Sequence, residues 1–254
     1  MLEARGLTKY YSAITGVRDV NFAVRPGEVL GLLGPNGSGK STTVGMLTGL
    51  LDPSGGVVTL DGADIRADLL AYKGRLGYVP EEAQLYTWMS GEEYLQFCAR
   101  LRGLPAQTAR RRIGRLLDLF GLSGDDGAPM SAYSKGMRQK ILLSAALLHN
   151  PDIIVLDEPC SGLDVGATLV VRSLIRRLAA EGRIVVYSSH ELDAVEKVCT
   201  DVLILRDGRV AAHATAAALR EQVNAASLED AFRTLVITTD VDGLAEEIVA
   251  TIRA

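Results

Sequence analysis

One short segment constrains this chain more than any other. An apolar run, Glu28–Leu33, leads into Gly34-Pro35-Asn36-Gly37-Ser38-Gly39-Lys40-Ser41-Thr42, and a helical pattern follows. The spacing satisfies G-x-x-x-x-G-K-[ST] in the setting that pattern requires, a strand before it and a helix after it. Its glycines let successive backbone N–H groups turn inward onto an anion, in a conformation that a Cβ obstructs. The helix that follows aims its first amides and its positive dipole end at the same place. Lys40 supplies a mobile positive charge for the β- and γ-phosphates, and the Ser41 hydroxyl is a ligand suited to Mg²⁺. With every fixed position filled and both flanks correct, the segment reads as a nucleotide site and not as a chance glycine-rich turn.

Such a loop belongs at the edge of a parallel sheet, and the rest of the chain agrees. Short apolar runs without polar alternation recur at Leu76–Val79, Ile153–Leu156, Arg183–Ser188 and Asp201–Leu205. Runs of this kind read as strands covered on both faces, and their alternation with helical patterns implies an α/β sheet. Thr8–Phe22 and Val57–Leu60 look like a more antiparallel portion, with turn signals at Asp61-Gly62 and Asp207-Gly208. Between Val79 and Ile153 the pattern becomes helical: Gly91–Arg102, the breaker Gly103-Leu104-Pro105, Ala106–Phe120, then a helix starting near Ser134. This stretch, about 85–150, reads as a helical subdomain inserted into the core of one domain over 1–235. From about 215 the chain is Ala-rich and helical, and 236–254 form a short tail.

Composition sets limits on function. Lys and Arg number 27 against 31 Asp and Glu, which argues against a broad nucleic-acid surface. The run Arg110-Arg111-Arg112 with Arg115 is accordingly read as a solvated helix face. Cys98, Cys160 and Cys199 lie far apart, without metal or disulfide spacing, which fits a reduced, cytosolic compartment. The N-terminal residues lack the apolar core of a signal peptide, and no apolar run approaches the ~20 residues that span a bilayer. The chain is expected to be soluble by itself.

A phosphate loop alone does not say what happens to the nucleotide. Downstream, Ile153-Ile154-Val155-Leu156 ends in Asp157-Glu158. A carboxylate at the end of a buried strand suits the metal shell of such a site, and its neighbour can polarise the attacking water. Asp157 is therefore assigned to the metal and Glu158 to general-base work; exposed turn acids before Pro159 are the bland alternative. The strand Arg183–Ser189 ends in His190, and strand ends of one sheet gather on a single ligand-bearing edge. His190 is expected to reach the γ-phosphate. His149 and His213 lack such a context and are read as structural.

The segment Tyr133-Ser134-Lys135-Gly136-Met137-Arg138-Gln139 opens a helix just ahead of the Asp157-Glu158 strand. It resembles the L-S-G-G-Q signature of ABC (ATP-binding cassette) ATPases. The order of phosphate loop, signature, acidic strand end, Ser161-Gly162-Leu163-Asp164 (the D-loop) and His190 matches that family over roughly residues 2–235. The resemblance implies a P-loop NTPase core with an antiparallel β portion and an inserted helical subdomain. It implies ATP hydrolysis with Mg²⁺ held by Ser41, Asp157 and Glu81. It also implies a head-to-tail homodimer or heterodimer in which Ser134, Lys135, Gly136 and Met137 face the ATP of the partner. Tyr11 falls where the family stacks an aromatic on adenine, with Tyr10 as the fallback.

Departures from the family pattern are informative. Lys135 replaces the first signature glycine, Met137 the glutamine and Tyr133 the leucine, while Ser134 and Gly136 are kept. Glu81, followed by Glu82, stands where the family usually carries a glutamine after Gly77-Tyr78-Val79-Pro80. Together with Ser227-Leu228-Glu229-Asp230-Ala231-Phe232, these features resemble the stand-alone ATPases of drug-, antibiotic- and polysaccharide-type exporters. The resemblance thus implies a subunit on the cytoplasmic face of the membrane, powering a permease carried on another chain. An iron–sulfur assembly ATPase and an importer ATPase are the alternatives. A DNA-repair type is excluded, because 117 positions from Lys40 to Asp157 are too few for its long coiled coil.

The segment Glu81–Ser90 crowds Leu85, Tyr86, Trp88 and Met89 into a surface loop flanked by Glu81, Glu82, Glu92 and Glu93. Exposed apolar residues with an acidic rim suit a docking surface for the membrane subunit. The competing expectation is that Tyr86 and Trp88 tuck under the helical subdomain.

Overall fold

Burial on both faces explains why five of the strands carry no polar alternation. In the computed structural model, which describes residues 1–11, 14–82, 85–124, 127–236 and 241–253, two sheets and a helical layer share three apolar cores. Strands β1 (Leu2–Tyr11), β2 (Ile14–Val24), β4 (Gly55–Leu60) and β5 (Ala63–Asp64) make an antiparallel sheet in the order β2-β1-β4-β5. This is the expected antiparallel portion, and it begins earlier than expected, at Leu2. Ser12 and Ala13, within the Thr8–Phe22 run, lie outside the described residues.

Strands β3 (Val29–Leu33), β6 (Leu76–Val79), β7 (Ile153–Asp157), β8 (Ile184–Ser188), β9 (Asp201–Arg206) and β10 (Arg209–Ala214) form the second sheet, in the order β10-β9-β3-β8-β7-β6. All neighbours are parallel except β9 and β10, which are joined by the Asp207-Gly208 turn. Both turn residues have positive φ, 50° and 73°, as a tight hairpin turn demands. Every residue of β3, β7 and β8 is buried. The expected strand starts at Glu28 and Arg183 are one residue early. Glu28 closes a turn, its carboxylate accepting from the Arg25 amide at 2.7 Å, and Arg183 pairs with Asp152 at 3.0 Å.

Helix α1 (Lys40–Leu47) packs with one face of this sheet against the antiparallel sheet. Helices α6 (Val165–Ala180), α7 (Leu192–Val198), α8 (Ala216–Gln222) and α9 (Leu228–Val236) cover the other face. A short helix, α2 (Leu69–Arg75), precedes β6. The inserted layer holds α3 (Gly91–Leu101), α4 (Ala106–Leu119) and α5 (Lys135–Leu147) around Leu95, Ile113, Leu122, Met130 and Ile141. Helix α3 starts with a capping box. The Ser90 hydroxyl accepts from the Glu93 amide at 3.2 Å, and the Glu93 carboxylate accepts from the Ser90 amide at 2.8 Å. Glu93 thus caps the helix while staying exposed beside Trp88 and Met89. The tail adds α10 (Val241–Arg253), while residues 237–240 and 254 lie outside the described residues. No helix among the described residues is long and apolar enough to cross a membrane.

Candidate functional site

Sheet register brings the predicted residues together. Leu32 of β3 and Asp157 of β7 both pair with Ser188 of β8, and Val79 of β6 pairs with Leu156. The chain therefore leaves four neighbouring strands at one level, and the four exits wall a cleft of about 750 Å³. Gly34–Gly37, Gly39–Thr42, Glu81, Asp157, Glu158 and His190 all line it.

The phosphate loop shows why two of its glycines are required. Gly34 has φ 153° and Gly39 has φ 102°. A Cβ on Gly34 would stand 2.3 Å from the Ser38 hydroxyl and 2.4 Å from the Leu205 carbonyl; on Gly39 it would stand 2.7 Å from the Gly16 carbonyl. Ser38 is buried and its hydroxyl has no hydrogen-bond partner among the described residues. The close backbone cradle fits an anionic ligand, while buried Ser38, expected among the binding residues, does not line the cleft. The Lys40 ammonium folds onto the loop, donating to the Gly34 carbonyl at 2.6 Å and the Pro35 carbonyl at 3.1 Å. Burial lowers the Lys40 pKa, against the opposing pull of Glu158, Asp157 and Glu81.

Three carboxylates and one ammonium face each other here, an excess of negative charge that a phosphate would deepen. Asp157 ends β7 and is only 5% exposed. Burial raises its pKa, and Glu81 and Glu158 push the same way while Lys40 opposes them. Among the described residues no three His, Cys, Asp or Glu side chains are grouped to hold a metal alone. The oxygen donors of Ser41, Asp157 and Glu81 nevertheless fit Mg²⁺, which typically binds one or two carboxylates together with substrate phosphate oxygens.

Glu158 sits at a strained position, with φ 48°, a region a non-glycine residue enters at a cost of about 1–3 kcal/mol. Its amide donates to the Ser188 carbonyl at 3.0 Å. Its carboxylate accepts from the His190 amide at 2.8 Å, lies 2.9 Å from His190 Nδ1, and accepts from the Ser189 hydroxyl at 3.4 Å. The β8 exit thus grips the Glu158 carboxylate, while the His190 ring remains 79% exposed.

The signature segment lies elsewhere. Ser134 caps α5, accepting from the Met137 amide at 3.1 Å, and none of Ser134, Lys135, Gly136 or Met137 lines the cleft that holds Lys40. Lys135 and Gly136 lie against the D-loop of the same chain instead. A Cβ on Gly136 would stand 2.6 Å from the Gly162 carbonyl, and one on Gly162 would stand 2.7 Å from Lys135 Cγ. Within the D-loop, the Ser161 amide donates to the Glu158 carbonyl at 3.1 Å and the Leu163 amide to the Cys160 carbonyl at 3.1 Å. Asp164 caps α6, accepting from the Ala167 amide at 2.8 Å, and that bond lowers its carboxyl pKa.

Tyr11 lies at the rim. Its hydroxyl is 3.5 Å from the Thr42 hydroxyl, its ring is half exposed, and it does not line the cleft. His149 is structural as expected. Its Nε2 meets the Leu76 carbonyl at 3.0 Å, and burial pushes its pKa down to about 4. Of the loop after β6, Leu85 and Met89 pack on the helical core. Trp88 is 73% exposed and does not tuck under the subdomain, whereas Tyr86 is half exposed and sets its ring against Tyr94 and Phe97 of α3, with centroids 6.4 and 5.8 Å away. Ala83 and Gln84 lie outside the described residues.

Sequence reasoning missed several contributors. Gly16, Ser189, Leu192 and Phe232 also line the cleft, and buried Gln139 on α5 donates to the Pro159 carbonyl at 3.0 Å. Ser189 was legible as the neighbour of His190. Nothing local foretold that α9 would return Phe232 to the nucleotide cleft.

Known proteins agree with this geometry. A family model described as ABC transporter matches residues 17–161. The ABC transporter ATP-binding protein NatA of Bacillus subtilis is 39% identical over 198 residues, 78% of this chain and 80% of the relative. The Nod factor export ATP-binding protein I of Ralstonia nicotianae is 36% identical over 209 residues, 82% of this chain and 65% of the relative. A solved ATP binding subunit of an ABC transporter superposes with a TM-score of 0.86 at 33% identity, covering 92% of this chain and 99% of that one. The chain belongs to the ABC transporter family, as an ATP-binding and ATP-hydrolysing cassette.

Proposed function

We propose that this cassette hydrolyses ATP at the four strand exits and thereby powers export through a permease on a separate chain. The observation that carries the reading is the gathering of Lys40, Asp157, Glu158 and His190 in one cleft. In this reading Lys40 and the backbone amides of Asn36, Gly37 and Gly39–Thr42 hold the β- and γ-phosphates. Ser41 and Asp157, with Glu81, would hold Mg²⁺, which neutralises phosphate charge when bound. The Glu158 carboxylate takes a proton from the attacking water as the new P–O bond forms and the bond to ADP breaks. His190 steadies Glu158 and presents its exposed ring to the γ-phosphate. Tyr11, beside Thr42, offers its ring to the adenine.

The signature acts in trans. Ser134, Lys135, Gly136 and Met137 stand outside their own chain's cleft, which supports a head-to-tail pair, homodimer or heterodimer, with each signature meeting the partner's ATP. The D-loop, Ser161–Asp164, lies against the signature and would sense both sites. The ATPase unit is taken to end near 235, with 236–254 as a tail. Tyr86 and Trp88 dock the permease, on the cytoplasmic face of the membrane. Export as the direction draws support from the relative named for Nod factor export.

Glu158→Gln tests the core of this reading. ATP binding is retained and turnover falls on the order of 10²–10⁴-fold, with a dimer on a sizing column in ATP and none in ADP. Wild-type turnover in the variant would remove Glu158 from the chemistry.

A further inference from the structure

We infer that Arg172, on helix α6, is a positioning residue for hydrolysis, acting through the loop that grips Glu158. This rests on the reading of Glu158 as the general base. The Arg172 guanidinium is largely buried, 19% exposed, and its NH2 group donates to the Glu191 carboxylate at 2.5 Å. Glu191 directly follows His190. Its amide donates to the Ser189 hydroxyl at 3.1 Å, and that hydroxyl donates to Glu158 at 3.4 Å. The His190 amide donates to the other Glu158 oxygen at 2.8 Å. Polar contacts joined through the covalent frame of Glu191 therefore link α6 by way of Ser189 to the Glu158 carboxylate, and the backbone carries the same constraint into His190.

The start of α6 gives the arrangement its meaning. The helix is capped by Asp164, the last D-loop residue, and Arg172 lies two turns further along. A shift of the D-loop moves α6, and Arg172 transmits that shift to Glu191 and so to the orientation of Glu158. An ion pair with one partner half exposed contributes little to stability, whereas a displacement of about 1 Å at a reacting group costs on the order of 10²-fold in rate. Arg172 is therefore placed to matter for turnover more than for folding. Its direct contacts are with the Glu191 side chain and not with the cleft, whose lining does not include it.

The test uses the full chain and measures kcat, KM for ATP, nucleotide affinity and melting temperature together. Arg172→Met is expected to lower kcat about 10–100-fold with ATP affinity and melting temperature close to wild type. Arg172→Lys is expected to recover part of the loss. The charge-swapped double variant Arg172→Glu with Glu191→Arg is expected to recover more than either single change. An unchanged kcat in Arg172→Met overturns the inference. So does a loss that tracks a lowered melting temperature and is not repaired by Lys or by the swap, because that marks a packing role. Glu158→Gln, measured alongside, separates the two levels. If it keeps turnover, the reading of the site fails. If it loses turnover while Arg172→Met does not, only the role of Arg172 fails.

Discussion

Trp88→Ala separates docking from packing in numbers. Trp88 is 73% exposed, so truncation removes about a quarter of a tryptophan's burial, on the order of 60 Å². At about 25 cal/mol/Å², and allowing for a compact unfolded chain, that is about 1–1.5 kcal/mol. Its ring lies 5.1 Å from the Tyr86 ring with a tilt of 46°, a contact that adds about 0.5 kcal/mol. The expected loss is thus about 1.5–2 kcal/mol, against about 3–5 kcal/mol for an enclosed aromatic. Urea unfolding of the chain reads this difference directly. The variant is expected to hydrolyse ATP on its own, yet no longer to sediment with membranes that contain its permease. A loss of 3 kcal/mol or more with membrane association intact would refute the reasoning, because the ring would then be serving the fold.

Lys40→Ala is expected to fold normally and lose most ATP affinity, measured by equilibrium binding; unimpaired binding would end the phosphate-loop assignment. Asp157 carries a raised pKa through burial, so the folded chain binds that proton more tightly than the unfolded one. Stability therefore falls as pH rises from the ordinary carboxylate range through the raised value, and the penalty persists at neutral pH. Asp157→Asn is expected to raise the neutral-pH melting temperature, flatten that pH dependence and abolish Mg²⁺-dependent hydrolysis; a lower melting temperature would contradict the burial argument. Ser134→Arg is expected to stop hydrolysis while leaving the ATP affinity of the monomer nearly unchanged, and a parallel fall in both would refute action in trans.

Local chemistry was legible from residues alone. The cradle at Gly34–Thr42 was readable because positive φ, close backbone approach and a helix N-terminus are demands that a few adjacent residues meet or fail. The buried strands were readable because four unalternated apolar residues have few other places to go. The start of α5 near Ser134 was readable in the same way, because a capping serine needs only a neighbour three residues away.

What tertiary structure alone decided is which of these pieces meet. From one apolar loop, Leu85 and Met89 turned inward onto the helical core, Trp88 turned outward, and Tyr86 lay between them against Phe97 of α3. Phe232 reached the cleft because α9 folds back along α7. The grip of Ser189 and His190 on Glu158 follows from the register that sets Asp157 level with Ser188. The Arg172–Glu191 contact joins residues on α6 and beyond β8 that share no local pattern. Short-range geometry is written in residue types and spacings, whereas these contacts depend on how sheet order and helix packing bring distant side chains within a few ångströms. That is why the phosphate loop and the acidic strand end could be named from the sequence, and the arrangement holding Glu158 in place could not.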